Sequence, residues 1–119
     1  MDWQAGKGYM GGSACLPPGE KTQKILRAID IQTGKIAWEL PEAGPGESWG
    51  GTLSTAGGIV IFCEESGALA AADAVSGKAL WRFQANQLWK ASPMTYVFDG
   101  KQYVAVASGS NVISFGLVE

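Results

Sequence analysis

The chain has 119 residues, a formal net charge of −2, five tryptophans and no histidine, and 46% of its residues are hydrophobic. A chain of this length can bury one modest core. Without histidine there is no Ser-His-Asp or Cys-His nucleophile, no histidine-based zinc site and no imidazole acid or base near neutral pH. The slightly acidic balance argues against nucleic acid as the main partner. These counts exclude a self-contained hydrolase of the common kinds.

Residues 1–23 are rich in glycine and proline, and we predict a loop there. Residues 6–11 satisfy the pattern G-x-G-x-x-G, but no strand signal precedes them and no helix signal follows, so a dinucleotide site is not expected. The first residues lack the basic and apolar regions of a signal peptide. The longest strongly apolar stretch, residues 59–63, is too short to span a membrane. We therefore expect neither a signal peptide nor a membrane span in this chain.

An eleven-residue unit occurs twice, at residues 28–38 and again at residues 71–81. Both copies read Ala-x-Asp-x-x-Thr/Ser-Gly-Lys-x-x-Trp. The stretch from Asp to Gly predicts a tight turn in which the Asp side chain caps backbone N–H groups and the Gly adopts a positive φ. The two copies begin 43 residues apart. Repeats at such a spacing are typical of architectures built from stacked units.

Short apolar or β-rich runs separated by glycine turns predict four strands at residues 52–56, 59–64, 68–74 and 78–84. Four short antiparallel strands in each repeat are typical of a β-propeller blade. We therefore predict an all-β fold, a partial β-propeller of four-stranded antiparallel blades that amounts to about two blades. The segments are a half blade at 24–40, a full blade at 50–84 and three strands of the next blade at 92–117.

The cysteines and one pair of carboxylates are the remaining chemical candidates. Cys15 and Cys63 are far apart and have no CxxC spacing, which excludes a metal ribbon or a thioredoxin-type motif. A disulfide between them and two free thiols are both open alternatives. Glu64 and Glu65 are adjacent, but neighbouring strand residues point to opposite faces, so we interpret them as a solvated turn rather than an acid–base pair. No residue is assigned a catalytic or metal-binding role.

The repeat resembles the tryptophan-docking motif of the eight-bladed quinoprotein dehydrogenases that use pyrroloquinoline quinone (PQQ). Residues 49–58 (WGGTLSTAGG), 92–96 (SPMTY) and 99–106 (DGKQYVAV) also resemble the C-terminal blades of those enzymes. The resemblance implies that Trp38 packs on Ala28 and against the turn at Gly77. Trp81 has no following copy of the motif in this chain to pack against. We therefore expect its indole to be an uncovered apolar surface that tends to associate with other surfaces.

The resemblance also implies four cofactor contacts. Trp49 precedes an inner strand, and the matching Trp of the family reaches the central funnel where PQQ lies. Gly109 and Asn111 match a late loop that approaches PQQ, although many relatives carry Trp where this chain has Asn111. Trp89, with Lys90, takes the place of Trp49 in the next unit and is expected to line the same funnel.

By the same resemblance, the Ca²⁺ ligands and the catalytic base lie in earlier blades, outside this chain. From the resemblance we expect the chain to be the C-terminal segment of a PQQ-dependent alcohol or sugar dehydrogenase of the periplasm, contributing blades and part of the PQQ pocket without being catalytic alone. Its expected partners are the remaining blades of the parent or further copies of itself. The alternative is a non-catalytic, PQQ-like propeller scaffold that acts in protein assembly.

Overall fold

The computed structural model describes residues 2–9, 11, 17–42, 44 and 48–117. Within these ranges the chain forms nine β-strands and no helix, so the prediction of an all-β fold is confirmed. No segment of the described chain is therefore a helix long and apolar enough to cross a membrane. The strands are β1 (Lys24–Ile29), β2 (Ile36–Glu42), β3 (Thr52–Ser54), β4 (Ile59–Cys63), β5 (Ala68–Asp73), β6 (Ala79–Gln84), β7 (Met94–Phe98), β8 (Lys101–Ser108) and β9 (Asn111–Gly116).

The strands form three antiparallel sheets in chain order: β1-β2, β3-β4-β5-β6 and β7-β8-β9. The middle sheet is a complete four-stranded meander, the arrangement of a propeller blade. Strand β2 extends past residue 40 because Lys24 pairs with Glu42 at its end. Pro41 is tolerated there because β2 is an edge strand of the described sheet and needs no outward N–H donor.

Strand β5 is buried on both faces of the middle sheet, which explains why it is apolar from Ala68 to Ala72. Side chains of successive residues alternate between faces. One face packs Phe62, Ala70 and Ala72 against Leu26 and Leu40 of the first sheet. The opposite face packs a second cluster against the third sheet, and its buried members are Cys63, Leu69, Trp89 and Val106. The three sheets therefore stack face to face, with the middle one between the other two.

Each copy of the repeat forms the same turn. The Asp73 carboxylate accepts hydrogen bonds from the N–H groups of Val75 (3.2 Å) and Ser76 (2.7 Å), and Asp30 caps the first turn in the same way. The hydrogen bond from the Ser76 side chain, followed by the one from the Ser76 backbone, lowers the pKa of the Asp73 carboxyl. Gly77 adopts a φ of +72°, which an L side chain rarely adopts.

Trp38 crosses from the first sheet to the second turn. Its Nε1 donates a hydrogen bond to the Ala74 carbonyl at 3.0 Å. Its ring lies so close to Gly77 that a Cβ added there would be 2.7 Å from Trp38 Cδ2. Within the first sheet, Trp38 is paired with Ala28. The indole thus buries area in the seam and satisfies its single donor.

Trp81 occupies the matching position in the second copy of the repeat. It is 44% exposed. Its ring meets the Phe115 ring of β9 edge-on, with centroids 5.3 Å apart. The Phe83 ring also meets the Phe115 ring, with centroids 5.0 Å apart. Trp81 therefore packs on the third sheet while keeping a large open surface.

Cys63 is a free, buried thiol, and burial raises its pKa to about 11. Cys15 lies outside the described residues. The buried thiol is therefore protonated near neutral pH and behaves as a small apolar side chain.

Candidate functional site

Two segments that lead into inner strands lie side by side at one end of the stacked sheets. They are residues 48–51, before β3, and residues 89–92, before β7. The Trp49 N–H donates to the Trp89 carbonyl at 2.9 Å, and the Ser48 hydroxyl donates to the same oxygen at 3.0 Å. These bonds set the position of one segment relative to the other.

The approach of the two segments depends on glycine. A Cβ added at Gly50 would lie 2.5 Å from Cys63 Cβ and 3.2 Å from the Ala91 carbonyl. A Cβ at Gly51 would collide with the Ser92 side chain. Only glycine therefore allows the chain after Trp49 to run this close to its neighbours.

Trp49 presents a large aromatic surface at this end of the sheets. Its side chain is 77% exposed, although its own backbone N–H is hydrogen-bonded. The Lys90 ammonium lies over the ring, 5.3 Å from its centroid, within the range of a cation–π contact. A flat apolar face next to a positive charge suits a planar anionic ligand.

Trp89 differs from Trp49 in its environment. Its side chain is 0% exposed and belongs to the core between the second and third sheets. Its Nε1 and the Ser108 hydroxyl are buried and have no hydrogen-bond partner among the described residues. The indole has no open surface, so Trp89 acts on the site through its carbonyl, which holds Trp49.

Gly109 lies in the β8–β9 turn next to Gln87, two residues before Trp89. It adopts a φ of +59°, and a Cβ added there would lie 3.1 Å from Oε1 of Gln87. Asn111 is exposed at the start of β9, where it pairs with Ser108. The structure thus brings Trp49, Lys90 and the Trp89 carbonyl together and ties the Gly109 turn to the same region through Gln87.

The interpretation of residues 64–65 as a solvated turn is wrong for Glu65. Its side chain is 0% exposed. Its Oε1 accepts a hydrogen bond from the Ser48 N–H at 2.8 Å, and the Lys24 ammonium lies 3.7 Å away. Both residues lie in the β4–β5 turn, beyond the end of β4, and Glu64 has a different partner, accepting a hydrogen bond from Arg82 at 2.8 Å. The error was to assume that both faces of this turn meet water.

A second carboxylate completes the buried cluster. Glu42 Oε2 accepts a hydrogen bond from the Glu65 N–H at 2.8 Å and lies 3.7 Å from the Lys24 ammonium. Burial raises the pKa of Glu42, and the bond from Glu65 opposes that rise. Lys24 also donates to the Cys63 carbonyl at 2.9 Å. One ammonium therefore balances two carboxylates, and backbone N–H groups supply further stabilisation.

A cleft of about 320 Å³ lies elsewhere, between β2 and strands β4, β5 and β6 of the middle sheet. Leu40, Phe62 and Trp81 line it, together with the ion pair Glu64–Arg82. Trp49 does not line it. In the described part of the chain, no group of three or more His, Cys, Asp or Glu side chains is placed to hold a metal ion.

Comparison with known proteins gives a consistent result. The family model described as PQQ glucose/ethanol/alcohol dehydrogenase, β-propeller domain, matches residues 42–104. Methanol dehydrogenase (cytochrome c) subunit 1 of Paracoccus denitrificans is 34% identical over 122 residues, which covers 92% of this chain and 19% of that protein. Quinoprotein alcohol dehydrogenase PedH of Pseudomonas putida is 38% identical over 114 residues, which covers 90% of this chain and 19% of that protein. The chain thus spans about a fifth of the length of these relatives.

Solved structures give the same picture. A quinohaemoprotein alcohol dehydrogenase from Comamonas testosteroni matches with a TM-score of 0.71 and 38% identity, covering 81% of this chain and 14% of that one. A europium-containing methanol dehydrogenase matches with a TM-score of 0.65 and 36% identity, covering 71% and 15%. BamB from Moraxella catarrhalis matches with a TM-score of 0.57 at 18% identity, covering 77% and 31%, a likeness of fold alone.

Proposed function

The chain belongs to the PQQ glucose/ethanol/alcohol dehydrogenase β-propeller family, and from that membership we propose that it is the C-terminal segment of a PQQ-dependent alcohol or sugar dehydrogenase. Its identity to whole quinoprotein dehydrogenases extends over about nine tenths of its own length. In this role the segment contributes propeller blades and one side of the cofactor pocket. The complete protein would oxidise its substrate in the periplasm.

The pair of Trp49 and Lys90 is the observation that carries the cofactor assignment. PQQ is a planar, anionic quinone that accepts the electrons of the oxidised alcohol when it is bound. The exposed Trp49 indole offers a face on which such a ring can stack. The Lys90 ammonium, 5.3 Å from that indole, offers a counter-charge for a carboxylate. The residues present therefore fit this group.

The late turn adds two further contacts to this proposal. The Gly109 turn packs against the Gln87 side chain, and the exposed Asn111 amide can donate or accept a hydrogen bond. Trp89 supports the pocket from behind, because its carbonyl accepts the bonds from Ser48 and Trp49.

The remainder of the machinery is assigned to other blades. We assign the metal ligands and the catalytic base to parts of the complete protein outside this chain, so the 119 residues are not catalytic alone. The metal is Ca²⁺ or a related ion; one similar structure is of a europium-containing methanol dehydrogenase.

The partners of this segment are the neighbouring blades. The first described sheet has two strands and the last has three, against four in the middle sheet. Ile29 and Ile36 are exposed on the first sheet, and Met94 and Phe98 on the last. In the complete protein the other blades cover these residues, whereas the chain by itself associates with further copies of itself. The exposed Trp49 gives no support to the alternative of a non-catalytic scaffold. The likeness to BamB gives none either, because it is one of fold alone.

The experiment is a titration of the complete, cofactor-free propeller with PQQ, followed by tryptophan fluorescence. We expect Trp49→Ala to weaken PQQ binding at least tenfold, which corresponds to about 1.4 kcal/mol. Trp3→Ala, which removes another exposed indole, is the matched control and should bind like the wild type. Unchanged binding by Trp49→Ala would refute the pocket assignment, and a wild-type protein that binds no PQQ would refute the function.

A further inference from the structure

The buried cluster of Lys24, Glu42 and Glu65 joins parts of the chain that are far apart in sequence. Lys24 and Glu42 lie at the paired ends of β1 and β2 in the first sheet. Glu65 lies in the β4–β5 turn of the middle sheet, and its N–H donates to Glu42. The cluster therefore fastens the first sheet to the middle sheet at the end where Trp49 lies.

The same carboxylate reaches the Trp49 segment directly. Glu65 Oε1 accepts the Ser48 N–H at 2.8 Å, and the Ser48 hydroxyl donates to the Trp89 carbonyl at 3.0 Å. The Trp49 N–H donates to that carbonyl at 2.9 Å. A continuous set of hydrogen bonds thus runs from the first sheet, through Glu65, to both segments that lead into inner strands.

The burial of Glu65 makes it costly for the Ser48 segment to leave this position. An ionised carboxylate with no exposed surface is costly unless charges and hydrogen bonds compensate it. Ser48 N–H and Lys24 both face Glu65 and provide such compensation. If the Ser48 segment moves away, a buried carboxylate and a backbone N–H both lose a partner. These bonds therefore hold the backbone from which the exposed Trp49 indole projects.

We propose that Glu65 is a positioning residue that orients Trp49 through Ser48. Its value for cofactor binding rests on the proposed function of Trp49. A role confined to general stability would lower the free energy of unfolding and leave the environment of the Trp49 indole unchanged. A positioning role changes that environment in protein that is still folded.

The first experiment uses the 119-residue chain without cofactor. Labelling with 5-fluorotryptophan gives one ¹⁹F resonance for each of the five tryptophans, and Trp49→Phe assigns the resonance of interest. In Glu65→Ala we expect the Trp49 resonance to shift and those of Trp3 and Trp81, which have no contact with the cluster, to stay. Glu65→Gln keeps an oxygen acceptor for Ser48 and should restore the wild-type position. Glu64→Ala removes the neighbouring carboxylate, which contacts Arg82, and should leave the Trp49 resonance unchanged.

The second experiment measures PQQ affinity in the complete propeller. We expect the dissociation constant to rise about tenfold in Glu65→Ala, the effect of losing one buried hydrogen bond, and to return to within about twofold in Glu65→Gln. A Trp49 resonance that does not move in Glu65→Ala overturns the inference, whatever PQQ does. Failure of the wild type to bind PQQ overturns the proposed function, while the resonance still decides the positioning role.

A third measurement needs no variant and applies if Glu65→Ala does not fold. The Ser48 and Trp49 amides should exchange with solvent as slowly as the amides of β4 and β5, because both donate to fixed acceptors. Exchange of both amides at the rate of unprotected loop residues would overturn the positioning role.

Discussion

Replacement of Gly77 by Ala tests how the first sheet is held on the second. Gly77 and Gly34 occupy equivalent turns and have φ values of +72° and +68°. The N–H of each donates to the carbonyl of the turn Asp, at 2.9 Å for Gly77 and 2.8 Å for Gly34. The two differ in their neighbours: a Cβ at Gly77 would lie 2.7 Å from the Trp38 ring, whereas a Cβ at Gly34 would meet nothing within 4 Å.

The expected magnitudes follow from this difference. Forcing Ala into the left-handed region costs roughly 1–2 kcal/mol, and this cost applies to both variants. In Gly77→Ala the Trp38 ring must also move, which breaks the bond from Nε1 to the Ala74 carbonyl and costs about 1 kcal/mol more. Partial loss of the indole packing adds a further contribution. We therefore expect a decrease in the free energy of unfolding of roughly 3 kcal/mol for Gly77→Ala and ~1–2 kcal/mol for Gly34→Ala.

Urea unfolding of the two variants and the wild type, followed by circular dichroism, measures both values. The red shift of Trp38 emission in Gly77→Ala under native conditions reports the displaced ring independently. Equal destabilisation by the two substitutions, with unchanged emission, would refute the account of Trp38 as a seam residue.

Two further predictions concern charge. Lys90→Met should weaken PQQ binding by the complete propeller and reduce the salt dependence of that binding, because the ammonium over Trp49 is lost. Lys78→Met, in an exposed turn, is the control. Equal effects of the two substitutions would contradict the assignment. The second prediction concerns acid. Asp73 has a folded pKa below its ordinary value of 3.8, chiefly through the Ser76 side-chain bond, so its contribution to stability is complete above that value and is lost as the pH falls through the folded pKa. The unfolding midpoint in urea should therefore fall less steeply in acid for Asp73→Asn than for the wild type, and parallel curves would contradict this.

The strands of this chain were predictable because their signals are local. Short apolar or β-rich runs between glycine turns mark the middle sheet, where the four predicted strands are present. Errors occur at strand ends: β3 ends at Ser54 because Thr55 begins a turn, in which the Gly58 N–H bonds to the Thr55 carbonyl at 3.1 Å.

The buried cluster could not be predicted from local signals. The partners of the buried Glu65, Lys24 and Ser48, come from distant parts of the sequence. No spacing within the turn of Glu65 reveals them. Trp49 and Trp89 occupy equivalent positions in sequence, yet one is exposed and the other lies in the core. The difference depends on the third sheet, which covers Trp89 and leaves Trp49 open.

The central claim is that this segment supplies one face of a PQQ pocket through Trp49. The most direct test is an experimental structure of the complete propeller with PQQ bound. We expect the PQQ ring to stack on the Trp49 indole, with one of its carboxylates facing the Lys90 ammonium. A structure in which PQQ occupies the funnel without contacting Trp49 or Lys90 would contradict the claim.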